Sequence, residues 1–362
     1  MAGTGLAAVQ SFFREKRRRT WFIVAAVAVF LVLLFIQSIS ISQYHIGFAE
    51  AYGILFHHLT DGAPSRAEDY HAWMKDVVVW DYNIPRGFGA IIIGATLAVG
   101  GAMMQSSLQN PIAEPYTTGI SAGALLGATL FIVFGYSVIP TLAGDAALYA
   151  DAMIFSLIPL AAILLVVGGK RNVSPTLMIL IGISMMYIFF AICSFMRYNV
   201  EHEVAAEIYE WSLGTVGRIK WMQLPLLLGV LAALLLFALA IASKLNALSF
   251  GDRFAQSVGL NPKRLRVICL VIVSLVTAVV VSVAGTIGFV GLVCPQVSRL
   301  LVGADNREIV PVSAALGALM LLLADCISRT VTTAGLPVGA VTALIGSPIF
   351  IYMLVKNRRN AW

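Results

Sequence analysis

The sequence predicts an all-α polytopic membrane protein, a single bundle of about ten transmembrane helices. Three observations predict it. Of 362 residues, 59% are hydrophobic and 12% charged, against about 25% charged in an ordinary soluble chain. The apolar residues gather in blocks of membrane-crossing length, about 20 residues for a hydrocarbon core of about 30 Å. The blocks lack the alternation of a barrel strand, and helices satisfy their own backbone N–H and C=O groups in lipid.

In order, the blocks are Trp21 to Ile41, Gly87 to Leu108, Tyr116 to Phe134, Ala152 to Val167, Pro175 to Met196, Trp221 to Ala242, Val267 to Val283, Ile287 to Val297, Ile309 to Ala324 and Leu336 to Val355. The first follows the basic run "REKRRR". It is too long for a signal peptide and lacks a small-residue cleavage site, so it reads as the first helix. Residues 1–20 form a basic amino-terminal segment, 21–356 one transmembrane domain, 42–80 a long outer loop and 357–362 a tail.

Charge sets the expected orientation. With the amino terminus in the cytoplasm, ten spans put both ends inside. The inner loops then carry 17 of the 24 Lys and Arg residues, including five before Trp21, Lys170 and Arg171, and five from Lys244 to Arg266. The 18 acids divide the other way, 5 inside and 13 outside. Cations resist translocation, so the bias supports this orientation and an even number of spans. The net charge of +6 places basic loops beside anionic lipid and gives no reason to expect nucleic acid.

Between the sixth and seventh blocks lies "SFGDRFAQSVGLNPKRLR", Ser249 to Arg266, a soluble-looking stretch on the inner side. "FAQSVGL" predicts a short helix ended by Gly259, then a turn at Asn261-Pro262 and a new helix from Lys263. Such a helix is a handle for another protein. The alternative is a positively charged connection that only fixes topology.

The block interiors contain no Asp, Glu, Lys or Arg; Glu114, Arg299, Asp325 and Arg329 stand at their borders. Ion-coupled carriers place such groups at mid-membrane, and the chain has no GxxxxGK[ST] phosphate loop. Uphill transport would therefore draw its energy from a partner. No nucleophile–base pair or HExxH motif points to an enzyme. His57 and His58, with His45 and His71, read as loop residues, and the four cysteines as packing groups. The strings "GISAGALLG", "GTIGFVG" and "GLPVG" allow helices to approach closely.

Several strings, in order over about residues 80–356, together resemble the permease subunits of ATP-binding-cassette importers for ferric siderophores, haem and cobalamin. They are "NIPR" at Asn83, "QNPIAEP" at Gln109, "WSLGTVGRIKW" at Trp211, the Ser249–Arg266 segment, "GTIGFVGLVCPQVSRLLVGADNRE" at Gly285 and "LPVGAVTALIGSPIFIYML" at Leu336. The resemblance implies a bundle like that of the cobalamin-importer permease and a second permease subunit, identical or not. It also implies two cytoplasmic ATPases that hold ATP and Mg, so no cofactor is expected in this chain, and an extracytoplasmic binding protein that delivers a metal chelate.

It further implies residue roles. Residues 244–266 become the segment that couples to the ATPase, through Ser249, Phe250, Gly251, Asp252, Ala255, Val258, Gly259, Leu260 and Arg264. Arg86 and Arg329, with Arg66 as a substitute where Asn83 replaces the family's usual arginine, become docking cations for the binding protein. Met185, Met186, Phe190, Trp211 and Gly346 line the conduit, and Asn110, Pro111, Glu114, Pro115, Pro295 and Pro337 shape structural loops. Gln296 departs from the family's common histidine, so a role assigned to that histidine does not transfer. The expected cargo is an iron chelate, first a siderophore, then haem, then cobalamin. An ion-coupled secondary carrier is the competing class.

Overall fold

The computed structural model describes residues 2–42, 44, 46–168, 174–331 and 335–356. His45, Lys170, Arg171 and the 357–362 tail lie outside the described residues. Fifteen α-helices follow one another, and no strand occurs among the described residues.

Ten segments match the predicted spans. They are α1 (Ala2–Ser40), α4 (Ile84–Leu108), α5 (Ile120–Phe134), the pair α6 (Gly144–Ser156) and α7 (Ile158–Gly168), α8 (Pro175–Tyr198), α10 (Leu224–Ser249), α12 (Pro262–Ala284), α13 (Val290–Val302), α14 (Asn306–Thr330) and α15 (Val338–Lys356). Seven helical segments are long and apolar enough to cross a membrane, and three shorter apolar helices accompany them. The remaining helices are α2 (Phe48–Asp61), α3 (Tyr70–Val77), α9 (His202–Ser212) and α11 (Asp252–Ser257). Alternate spans reverse direction, so α2 and α3 mark one end of the bundle and α11 the other.

Helix α4 is the axis, buried along nearly its whole length. Its glycines explain why. A Cβ on Gly94 would stand 2.2 Å from the Gly317 carbonyl oxygen, and one on Gly101 only 1.8 Å from that of Gly291. The α14 and α13 backbones therefore lie directly on α4, the close approach that small residues allow. By contrast α1, α8 and α10 leave large apolar side chains uncovered, among them Phe22, Phe195 and Leu236, as suits lipid or subunit contact.

Two predicted loops differ. The 42–80 stretch contains α2, which packs on the end of α1, and α3, which packs on α2 and on residues 78–83. His58 lies between them and Trp80: its Nδ1 is 2.9 Å from Asp76, and its ring stacks on Trp80 at 4.2 Å. His57 pairs with Asp61 on α2. His58 is thus a packed residue of this cap rather than a solvated loop residue.

The stretch after α4 also departs from a surface loop. Pro115 packs beside Gly100 and Gly291, and the Tyr116 hydroxyl accepts the Ile287 N–H at 3.2 Å. Residues 109–119 therefore return into the bundle and carry Glu114 with them. Asp325, placed by the sequence at a block border, is fully buried on α14. The interior is less free of charge than the apolar blocks alone predict.

Candidate functional site

At one end, α10 stops at Ser249 and the chain turns through Gly251 (φ 101°) into α11. Phe250, Phe254 and Val258 are exposed, whereas Ala255 is buried on the bundle. The Phe250 and Phe254 rings form a tilted pair with centroids 5.2 Å apart. Gly259 (φ 80°) ends the turn as the sequence predicts. The Leu260 N–H donates to Ala255 O at 2.9 Å and the Gly259 N–H to Gln256 O at 3.0 Å, the two bonds of a Schellman stop. The Asn261 side chain then accepts the Arg264 N–H at 3.0 Å and starts α12 at Pro262. Ser249 and Arg264 remain exposed.

What ties α11 to the bundle is a residue outside the predicted set. Arg266 of α12 is 2% exposed and grips Asp252 twice, Nη1 to Oδ2 at 2.8 Å and Nη2 to Oδ1 at 2.6 Å. Its Nε donates to Ser107 O at 2.9 Å, and Nη2 also reaches Gln109 Oε1 at 3.3 Å. Gln109 in turn donates to Leu248 O at the end of α10. One guanidinium thus joins α11 to α4 and α12, and through Gln109 to α10. The Arg266 hydrogen bond holds the Asp252 carboxyl below the usual carboxylate range. In the sequence Arg266 was one basic residue among several; its burial is visible only in the fold.

The re-entrant stretch forms a second layer. Asn110 folds it by accepting the Ile112 N–H at 3.1 Å. Gln296 of α13 donates to Pro111 O at 2.9 Å and to Gln105 Oε1 at 3.1 Å, and Gln105 donates to Leu292 O at 3.1 Å. The glutamine that replaces the expected histidine therefore stitches α13 to α4. Glu114 faces the Phe289 N–H, and its Oε2 has no partner among the described residues. Pro295 is buried within α13, and Pro337 stands just before α15, where its carbonyl accepts the Ala340 N–H at 3.1 Å.

At the opposite end the predicted docking cations are tied inward. Arg86 Nε lies 2.6 Å from Asp325 Oδ1. Arg329 Nη2 lies 2.8 Å from Asp325 Oδ2, an ion-pair contact rather than an aligned hydrogen bond. Arg329 Nη1 also donates to Ser38 O, Ile41 O and Asn83 Oδ1 at 3.1, 3.0 and 3.2 Å. The cation caps the carbonyl end of α1, where a positive charge is favoured. Arg329 is 8% exposed, so it holds α1 to α14 instead of facing outward. Arg86 is partly exposed. Arg66 is exposed, over the Tyr70 and Trp73 rings at 5.8 and 4.9 Å.

The predicted conduit residues separate. Met185 and Met186 are partly buried against the main core, and Phe190 is 39% exposed on the same helix, α8. Trp211 is 1% exposed and belongs to the core, which corrects its expected place on a channel wall. Gly346 is the site of a close crossing: a Cβ there would stand 2.7 Å from that of Phe289. It brings α15 against the elbow between α12 and α13.

The sequence model of the FecCD transport family matches residues 30–356. The chain belongs to the FecCD transport family. It is 38% identical over 289 residues to an ABC transporter permease protein of Methanocaldococcus jannaschii, covering 78% of this chain and 82% of the relative. It is 33% identical to the vitamin B12 import system permease protein BtuC of Vibrio cholerae, over 80% of this chain and 86% of BtuC. Identity to the iron(3+)-hydroxamate import system permease protein FhuB of Bacillus subtilis is 34%, over 78% of this chain and 72% of FhuB. Among solved structures, an inward-facing transporter described as of the metal-chelate ABC type aligns with a TM-score of 0.77 and 26% identity, covering 92% of this chain and 99% of its own. This FecCD-family chain is an ABC-importer permease and a multi-pass membrane protein, and family membership sets aside the ion-coupled carrier.

Proposed function

We propose that this chain is the conducting subunit of an importer that moves an iron chelate of the ferric-siderophore class across the cytoplasmic membrane, driven by a separate ATPase. Both termini and α11 face the cytoplasm, as the distribution of Lys and Arg favours. The observation that carries the reading is the Arg266–Asp252 strut under an exposed apolar ridge of Phe250, Phe254 and Val258. A partner that closes on this ridge moves α4, α10 and α12 through one buried guanidinium. That is a rigid-body coupling of the kind that biases a two-state bundle.

The pairing partner is a second permease, and ATP and Mg belong to two ATPase subunits on α11. A binding protein docks at the α2–α3 end, with Arg66 and the exposed edge of Arg86 as its cationic contacts. The apolar Met185, Met186 and Phe190 of α8 support a passage through which a bulky chelate slips without being trapped by strong ligands. Similarity to FhuB and to BtuC is nearly equal, so the cargo is settled by measurement. Proteoliposomes with ATPase, ATP and the cognate binding protein are offered radiolabelled ferric hydroxamate, haem and cobalamin. Saturable uptake of the ferric hydroxamate alone agrees with the proposal; uptake of haem or cobalamin in its place replaces the cargo.

A further inference from the structure

Arg299, near the carboxyl end of α13, lies beside the first helix in a place the transport reading does not use. It donates to Ser106 Oγ at 3.1 Å and has no carboxylate partner among the described residues. Next to it, between α1 and the end of α13, is a cavity of about 740 Å³ walled by Lys16, Arg19 and Thr20 on one side and Arg299 and Leu300 on the other. Lys16 is 3.6 Å from Glu308, which also accepts the Thr20 hydroxyl at 3.1 Å, so its charge is largely answered. Arg19, which is exposed, has no acidic partner among the described residues, and exposed Glu15 is the one acid in the described wall. The cavity keeps an excess of positive charge.

Its depth identifies what answers that charge. The chain changes from "REKRRR" to continuous apolar sequence at Trp21, which puts Arg19 and Thr20 at headgroup level. Leu300 in the cavity wall is an exposed apolar side chain, and the exposed Trp21 and Phe22 follow Thr20 along α1, so acyl chains meet apolar surface at this depth. A half-buried arginine satisfied by one hydroxyl has lost water without gaining a counter-ion, and a phosphate supplies both charge and acceptors.

We infer that this cavity binds the phosphate headgroup of an anionic phospholipid, with Arg19 and Arg299 as its cations. The inference rests on the proposed orientation for the leaflet, whereas the binding itself does not require transport. Basic pockets on the cytoplasmic side of helical bundles hold acidic lipids in this way. The bound lipid fastens α1 to α13.

The test uses the full chain purified in detergent, with native mass spectrometry and thermal melting. The probes are phosphatidylglycerol, phosphatidylcholine and inorganic phosphate. Phosphatidylglycerol is expected to stay bound and raise the melting midpoint, and phosphatidylcholine and phosphate to do neither. Arg19→Gln and Arg299→Gln should each weaken phosphatidylglycerol binding roughly fivefold. Arg307→Gln, an exposed cation at the same end outside the cavity, should leave it unchanged. Arg19 is exposed, so its variant reports even if Arg299→Gln fails to fold. Equal retention of phosphatidylcholine, equal protection by inorganic phosphate, or equal effects of Arg19→Gln and Arg307→Gln would each overturn the inference. Failure of the unmutated chain to retain phosphatidylglycerol, with its uptake activity intact, would sink this site and leave the importer reading standing.

Discussion

Arg266 and Asp252 form a two-pronged ion pair at 2.6 and 2.8 Å in which the arginine is buried and the aspartate sits on the exposed α11. Under the proposed coupling, motion of α11 passes through this pair, because Arg266 is fixed on its other side by Ser107 O and Gln109. Asp252→Asn removes the charge-assisted component, about 1.5–3 kcal/mol. Uptake by reconstituted transporter is expected to fall roughly tenfold or more, while ATP hydrolysis persists. Parallel measurement of both rates checks it.

Under the same proposal the pair sets the pH response of coupling. The folded-state pKa of Asp252 is depressed by Arg266, so its contribution is complete above the ordinary aspartate value near 3.9. It is lost only as pH falls through the depressed value. The ratio of uptake to ATP hydrolysis should therefore stay flat from neutral pH down to about 5. A fall in that ratio centred near pH 6 would assign the coupling to another group.

Gly259 is required for its backbone rather than for space, since a Cβ there meets nothing within 4 Å. Its φ of 80° costs an ordinary L-residue about 1–2 kcal/mol, and Asn less. Gly259→Val is expected to insert normally and uncouple ATP hydrolysis from uptake. Gly259→Asn should stay close to the parent, and transport assays on the two variants separate strain from crowding.

Removing the Gln296 amide leaves the Pro111 carbonyl short of a donor inside the bundle, a loss of about 1–3 kcal/mol. Gln296→Leu should lower the melting midpoint of the purified protein, with residual uptake at temperatures where it remains folded. An unchanged midpoint would show that the α4–α13 stitch is not stabilising.

Arg329 and Arg66 make opposite predictions. Arg329→Gln leaves Asp325 short of a partner in the interior; breaking a buried pair costs about 3–5 kcal/mol, so the amount of folded protein in the membrane should drop. Arg66→Glu should leave folding intact and slow association with the binding protein, most of all at low salt. Binding kinetics at two ionic strengths, with expression levels, distinguish a structural cation from a docking one.

Much of this was legible in the sequence, for physical reasons. The ten spans follow from apolar blocks, because lipid imposes length and composition on any crossing helix. The α11 stop follows from glycine at a left-handed position and proline one turn later. What could not be read was pairing across distance. Arg266 looked like its neighbours until the ends of α4 and α10 closed around it. Arg329 carried the charge of a docking residue, and its burial depends on Asp325 and the end of α1. Trp211 suited a channel wall as well as a core. The 42–80 stretch is polar enough to read as loop, and its helices are held by contacts such as His58 with Asp76 and Trp80 that no short-range pattern encodes.

The central claim is that this subunit supplies a passage and a lever while its power comes from a neighbour. It is tested most directly by accumulation of radiolabelled ferric hydroxamate in proteoliposomes holding the chain alone under a proton or sodium gradient, or the chain with ATPase, binding protein and ATP. Accumulation only in the second preparation is the predicted result. Accumulation by the chain alone, driven by the gradient, would contradict the account.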